Sequence, residues 1–375
     1  MPQKLRVGVI FGGRSGEHEV SLVSATSIIQ ALDPSKYEVV PIGITREGRW
    51  LSSPQMLHLM KEKSGLNGTD EQYLLPEPGR RGLMSVEDKA QVVRELDVVF
   101  PIVHGTYGED GTLQGLLELA GIPYVGAGVL GSALGMDKIV QKQLFREAGL
   151  PIVKYLWVLS EEVRERPQAV VAKIGRSLRY PVFTKPANTG SSVGISKIHS
   201  RAELRQGLEL AAAFDRKVII EQGVVNAREI ECSVLGNNTP KASVPGEIVP
   251  SNEFYDYDAK YVDGKSKAII PADLPRAIVR KLQATAIRAF TTLDLAGMAR
   301  VDFFVVRRTN KIYLNEVNTL PGFTSISMYP KLWEASGMGY HELLDRLIAL
   351  AIERHAEKAE LRTVYDPKSA WYKEG

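Results

Sequence analysis

A chain of 375 residues is long enough for two or three domains and a substantial core, and with 44% apolar and 24% charged residues it has the make-up of an ordinary soluble protein. Basic residues outnumber acidic ones by 47 to 44, and a net charge of +3 is too small to argue for nucleic acid as a partner. The single Cys232 excludes an intrachain disulfide, and there is neither an apolar run of about 18 residues nor a signal-peptide core, so a cytoplasmic enzyme without a membrane partner is expected.

The apolar run 5–11 ends at Gly12-Gly13, and Val20, Val23, Ile28 and Leu32 behind it have helical spacing. Such a strand, turn and helix aim backbone N–H groups and the positive end of a dipole at an anion. Glu17 and Glu19 crowd that end and can equally serve to compensate the dipole. The spacing GGRSG is not the dinucleotide fingerprint, which weighs against a nicotinamide oxidoreductase. A strand is expected over 37–44. Residues 52–94, rich in Lys, Glu, Gly and Pro with little apolar periodicity, read as a surface excursion. The strand 97–103 ends at His104, the position where open α/β sheets bind ligands, although a lone histidine there is more often structural. With the helix 112–120 this makes a doubly wound α/β unit ending near Gly131.

Asp137 can cap a helix over 138–148, with Gly149 and Pro151 closing it. Lys138 then stands in the first turn, where a cation opposes the helix dipole and a bound phosphate would explain it. The strand 182–185 runs into PANTGSSVG and out into the strand 195–198. A glycine- and hydroxyl-rich loop between antiparallel strands, with Lys185 at its base, suits phosphates. The order is the reverse of a Walker loop. A helix capped by Ser200 covers 201–214. The strands 218–221 and 229–235 flank a connection whose backbone could bond the edge of an adenine, with Glu229 near ribose hydroxyls. The irregular, charged and aromatic stretch 245–267 reads as a lid offering Lys260 as a phosphate-binding cation and the Tyr261 hydroxyl. Helices 274–293 and 340–357 and a frayed tail from 366 complete the chain.

Residues 297–328 carry the densest chemistry. Two strands, 301–306 and 311–317, flank the turn-like RRTNK. Alternation puts Arg300, Asp302 and Phe304 on one face of the first, and Ile312, Leu314, Glu316 and Asn318 on one face of the second. For Asp302 to lie opposite Glu316, the connection must have odd length or contain a bulge. Two carboxylates about 4 Å apart repel by roughly 4 kcal/mol at an effective dielectric of about 20. An arginine or a hard divalent cation is needed to offset that, and Asp, Glu and Asn are oxygen donors of the kind magnesium takes. Any one of these acids alone reads more plainly as a surface charge.

Seven segments occur in one order: GGRSGEHEVSL at 12–22, HGTYGEDG at 104–111, MDK at 136–138, KPANTGSSVG at 185–194, EQGVVNAREIECSVLG at 221–236, EFYDYDAKY at 253–261, and GMARVDFF with NEVNTLPGFTSIS at 297–304 and 315–327. In this the chain resembles the D-alanine–D-alanine ligases of the ATP-grasp superfamily. The resemblance implies an N-terminal α/β domain (1–131), a central ATP-binding subdomain (132–236), a C-terminal catalytic subdomain (237–364) and a tail (365–375). It implies ATP phosphates on Lys138, Lys185 and Lys260, adenine on Glu221, Gln222 and Val224, and ribose on Glu229, with Ser192 and Asn315 also binding ATP. Asp302, Glu316 and Asn318 would hold two magnesium or manganese ions. Glu17, networked with Ser191 and Tyr261, would hold the first D-alanine, with His104 nearby, and Ser327 and Met328 would meet the second. Arg300 and the Gly322 N–H would form the oxyanion hole. The implied reaction makes D-alanyl-D-alanine through a D-alanyl phosphate for peptidoglycan precursors, in a homodimer. Tyr261 favours an amine over D-lactate as nucleophile. The competing reading, an ATP-responsive binding protein on the same fold, is disfavoured because Arg300, Asp302, Glu316 and Asn318 are all kept.

Overall fold

The structure is a computed structural model that describes residues 3–66, 69–85, 92–190, 192–249 and 267–365. Ser191, Lys260, Tyr261, most of the expected lid and the tail from 366 lie outside the described residues.

The first seven strands are β1 (Leu5–Gly12), β2 (Tyr37–Ile44), β3 (Trp50–Ser52), β4 (Gln72–Leu74), β5 (Gly82–Ser85), β6 (Val92–Glu95) and β7 (Val98–Pro101). The first sheet has the order β3-β2-β1-β7, parallel across β2, β1 and β7 and antiparallel at the β3 edge. Alternation along β1 buries both faces. Val7, Val9 and Phe11 meet Leu22, Ala25 and Ile28 of helix α1 (His18–Ala31) on one side. Ile10 meets Leu113 and Leu117 of the helix Thr112–Ala120 on the other. The first of these layers is completed by the end of the chain, because Leu343, Leu347 and Ile348 of the helix Tyr340–Ala359 lie in the same cluster as Val7 and Phe11.

The stretch 52–94, expected as a surface excursion, instead contains a helix, Met56–Glu62, and the small antiparallel sheet β4-β5-β6. Its anchors are few and widely spaced. Met56 and Met60 pack under Gly43, where a Cβ would come within 2.2 Å of the Met60 sulfur, and Leu74 and Leu83 enter the core beneath the first sheet. Strands of three or four residues are too short to show a period, so burial by distant partners decides them.

The second sheet is antiparallel, built from β8 (Tyr155–Leu159), β9 (Val182–Pro186), β10 (Ser196–Ile198) and β11 (Lys217–Gln222) in the order β10-β9-β11-β8. The third contains β12 (Ala227–Gly236), β13 (Lys241–Ala242), β14 (Gly246–Val249), β15 (Lys267–Ile269), β16 (Gly297–Val306) and β17 (Ile312–Asn318). Its order is β15-β14-β12-β16-β17, with β13 on β12. Asp302 pairs with Glu316 and Arg300 with Asn318, and the register then slips so that Phe303 meets Leu314. Asn315 is the extra residue of a β-bulge, the second of the two ways the pairing could arise.

The bulge also corrects the expected faces. Ile312, Leu314 and Val317 point into the core, while Glu316 and Asn318 share the opposite face with Arg300 and Asp302. Ile312 and Leu314 are therefore not on the acidic face, because the added residue inverts the alternation after Leu314.

After β17 the chain turns at Pro321-Gly322 and drives Phe323 into the shared core of the first sheet and last helix. Its ring stands edge-on to Phe100 at 5.8 Å and lies 5.6 Å from Tyr329 and 6.3 Å from Tyr340. Phe323→Ala is expected to lower stability by about 3–5 kcal/mol, read as a fall in the urea midpoint.

Candidate active site

A cavity of about 540 Å³ lies between the second and third sheets, a size suited to a nucleotide-sized ligand. Lys185, Ser192, Glu221, Gln222, Val224, Glu229, Asp302, Asn315 and Glu316 line it. Lys185 projects from β9, and its ammonium lies 2.6 Å from Glu221 at the end of β11. Lys142 of the helix Lys138–Glu147 sits 2.6 Å from the other oxygen of the same carboxylate. Burial alone would raise the Glu221 carboxyl, but the two ammonium groups hold it down at about 2. Lys185 is in turn held above its ordinary value, since Glu221 and Glu316 outweigh the opposing effect of burial. The Glu221 side chain is thus committed to two lysines, whereas Gln222 accepts the Arg179 N–H at 3.2 Å.

A second, smaller cavity of about 130 Å³ adjoins the first and is lined by Glu17, His104, Lys138, Arg300, Asn318, Gly322, Ser327 and Met328, among others. Glu17 occupies the N-cap position of α1 and is 8% exposed, and no hydrogen bond from its side chain caps the helix. Its carboxylate is crowded by two glycines: a Cβ at Gly190 would come within 2.3 Å of it, and one at Gly105 within 2.8 Å. The glycine loop therefore closes directly over Glu17. His104 is buried, its Nε2 3.1 Å from the Ser24 hydroxyl and its Nδ1 3.2 Å from the Leu320 carbonyl. Burial opposes charge on the ring, but Glu109 at 3.6 Å and Glu17 keep its pKa above the ordinary histidine value.

Lys138 donates to the Thr189 carbonyl at 2.7 Å and lies 3.8 Å from Glu316, bridging the glycine loop and the hairpin. Asp137 caps its helix, as expected, accepting from the N–H groups of Ile139 and Val140. At the far wall the Ser327 hydroxyl accepts the Thr324 N–H at 3.0 Å, and it would touch a Cβ at Gly322 at 2.8 Å. Met328 starts the next helix with its side chain packed against Ile248 and Leu332.

Ser192, Glu231, Arg300 and Glu316 line both cavities. Arg300 binds Asp302 through two bonds of 2.7 Å and reaches Glu231 at 3.1 Å. Burial works against its charge, but Asp302 and Glu231 hold the guanidinium firmly protonated. Asp302, Glu316 and Asn318 give an all-oxygen donor set on one face of the hairpin, which fits magnesium or manganese chemistry. Among the described residues no three His, Cys, Asp or Glu side chains converge on one point, so no ready-made cage of protein groups exists there. Such a set suits an ion that also takes ligand oxygens.

Four side chains of the site were missed in the sequence. Glu231 faces Asp302 across β12 and β16, and its signal is the alternation that places it two residues after Glu229. Lys142 and Gln141 lie on the face of Lys138, four and three residues on. Gln141 bonds both backbone groups of Val317 in β17, at 3.0 and 3.1 Å. Glu109 accepts the Gly105 N–H at 3.0 Å beneath His104, and the sequence carries no spacing signal for it.

Two family models match the chain: D-ala D-ala ligase N-terminus over residues 6–127 and D-ala D-ala ligase C-terminus over residues 144–349. A D-alanine–D-alanine ligase of Thermoanaerobacter sp. strain X514 is 54% identical over 364 residues, covering 95% of this chain and 99% of the relative. That of Natranaerobius thermophilus is 50% identical over 356 residues, covering 95% and 97%. Among solved structures, the D-alanine-D-alanine ligase from Coxiella burnetii superposes with a TM-score of 0.81 at 38% identity, covering 95% of this chain and 96% of that one. The VanG D-Ala:D-Ser ligase from Enterococcus faecalis gives 0.82 at 36%, covering 93% and 100%.

The Glu221 carboxyl, ordinarily at 4.5 and here at about 2, contributes stability that is complete above about pH 4.5 and is lost as the pH falls through about 2. Glu221→Gln leaves two buried ammonium groups without their counter-charge, so a loss of about 3–5 kcal/mol at neutral pH is expected. Urea midpoints followed from neutral pH into the acid range should fall less steeply for the variant than for the parent chain.

Proposed function

Since this chain belongs to the D-alanine–D-alanine ligase family, we infer that it uses ATP to join two D-alanine molecules into D-alanyl-D-alanine, releasing ADP and phosphate. Its fold is the ATP-grasp fold of those ligases. The observation that carries the reading is the meeting of a nucleotide-sized cavity and a small polar one at Arg300 and Glu316. Phosphoryl transfer needs positioning and charge neutralisation more than a protein nucleophile. Lys138 and Lys185 supply positive charge from opposite sides of the junction, and Lys260 is assigned the same role by its motif. Gln222 and Val224 border the adenine end with the backbone of Glu221, and Glu229 the ribose. Ser192 and Asn315, which line the same cavity, complete the ATP site. Two magnesium or manganese ions held by Asp302, Glu316 and Asn318 would neutralise charge on the phosphates when bound.

In the smaller cavity Glu17 pairs with the ammonium of the first D-alanine, whose carboxylate is then turned toward the phosphates. Ser191 and Tyr261 belong to that network by motif, and His104 positions the Leu320 turn beside it. The second D-alanine lies against Ser327 and the first turn at Met328, and its amine attacks the D-alanyl phosphate. The tetrahedral oxyanion that forms is met by the Arg300 guanidinium and the Gly322 N–H. Glu231 and Asp302 fix that guanidinium before the charge develops, as preorganised stabilisation requires. The product serves peptidoglycan precursor synthesis in the cytoplasm, by a homodimer. No helix among the described residues is long and apolar enough to cross a membrane.

Purified protein given ATP and D-alanine is expected to release ADP only when D-alanine is present. With D-lactate or D-serine added, D-alanyl-D-alanine should remain the main product by mass spectrometry; exclusive formation of either alternative would overturn the choice of second substrate. Arg300→Ala is expected to lower the rate by about 100- to 1000-fold. Near-parental turnover in that variant removes Arg300 from the mechanism.

A further inference from the structure

Lys142 lines neither cavity, yet it is bonded to groups that do. Its side chain is 2% exposed, and its ammonium lies 2.6 Å from Glu221 and donates to the Asn315 carbonyl at 2.9 Å. Asn315 is the inserted residue of the bulge in β17. Ile312 and Leu314 are anchored in the core ahead of it. With unbroken alternation, Glu316 and Asn318 would follow them inward and Val317 would face the site. The bulge alone turns the two donors onto the face of Asp302, and the residue that a bulge leaves outside the ladder needs another partner for its half-buried carbonyl.

We propose that Lys142 is a positioning residue which holds the Asn315 bulge, so that Glu316 and Asn318 stand opposite Asp302 and Arg300. Its ion pair with Glu221 connects this hairpin to the carboxylate that also holds Lys185. One rigid helical side chain thus sets the spacing between the phosphate lysine and the proposed metal donors. The inference rests on the reading of the hairpin as the nucleotide–metal site.

The test compares Glu221→Gln with the double variant Lys142→Met/Glu221→Gln. The single change keeps the bond from Lys142 to Asn315. The double change removes it, keeps most of the side-chain volume, and leaves no orphaned carboxylate that would unfold the chain. Manganese binding in the presence of ADP, followed by electron paramagnetic resonance, reads the donors without turnover, and urea midpoints are recorded alongside. Losing a hydrogen bond from a charged donor predicts about 10- to 100-fold weaker manganese binding in the double variant than in the single one. Equal affinities, whatever the change in urea midpoint, overturn the proposal, because a structural role alone moves only stability. Failure of the parent protein to bind manganese with ADP refutes the nucleotide–metal reading itself and the inference with it.

Discussion

A buried carboxylate held by two buried ammonium groups is the interaction around which the rest of the site is arranged. Glu221 is the penultimate residue of β11, Lys185 comes from β9, and Lys142 comes from a helix that also touches β17. Taking three charges out of water is costly, and mutual attraction repays it only with close contacts and further hydrogen bonds. Both contacts are 2.6 Å, and the Asn315 carbonyl supplies a further acceptor. The trio carries one net positive charge beside a cavity of nucleotide size. That surplus favours a polyanion entering from the open side, so one cluster both fastens the second sheet to the hairpin and biases what binds there.

Around this cluster the two cavities are set at right distances by contacts between units that lie far apart in the chain. Glu17 at the end of the first strand's turn is covered by Gly190 from the loop between β9 and β10, His104 after β7 is bonded to the Leu320 carbonyl after β17, and Arg300 is gripped between β12 and its own strand. None of these groups forms a site alone. Their chemistry depends on the glycine loop approaching Glu17 without a side chain in the way, and on a guanidinium whose direction is fixed by two carboxylates.

Much of this could be read from the sequence, and the limits have physical causes. The strands and the turn of the hairpin were legible because apolar and β-branched residues dominate 301–306 and 311–317 around the polar RRTNK, and the sequence could state the pair Asp302–Glu316 only on condition of an odd-length connection or a bulge, of which the structure has the bulge. The reversal of faces in β17 was not, since no glycine or proline marks the bulge at Asn315. It is imposed by the Lys142 bond and the anchoring of Ile312 and Leu314. Glu231 was hidden for a similar reason: its importance arises from pairing β12 with β16, across some 70 residues of intervening chain. The small sheet within 72–95 was missed because its strands are shorter than any period that could reveal them.

The order in which the chain is made gives the packing of its last helix another meaning. The first sheet is made before the residues that cover it, since the side carrying Val7, Val9 and Phe11 is completed by Phe323 and by Leu343, Leu347 and Ile348. While the roughly 220 residues from Pro101 to Phe323 are being made that apolar layer stays partly bare, and exposed apolar surface invites aggregation or chaperone binding. The first sheet is therefore finished only when residues made long after it pack onto it, and Phe323, the neighbour of Gly322, is one of them.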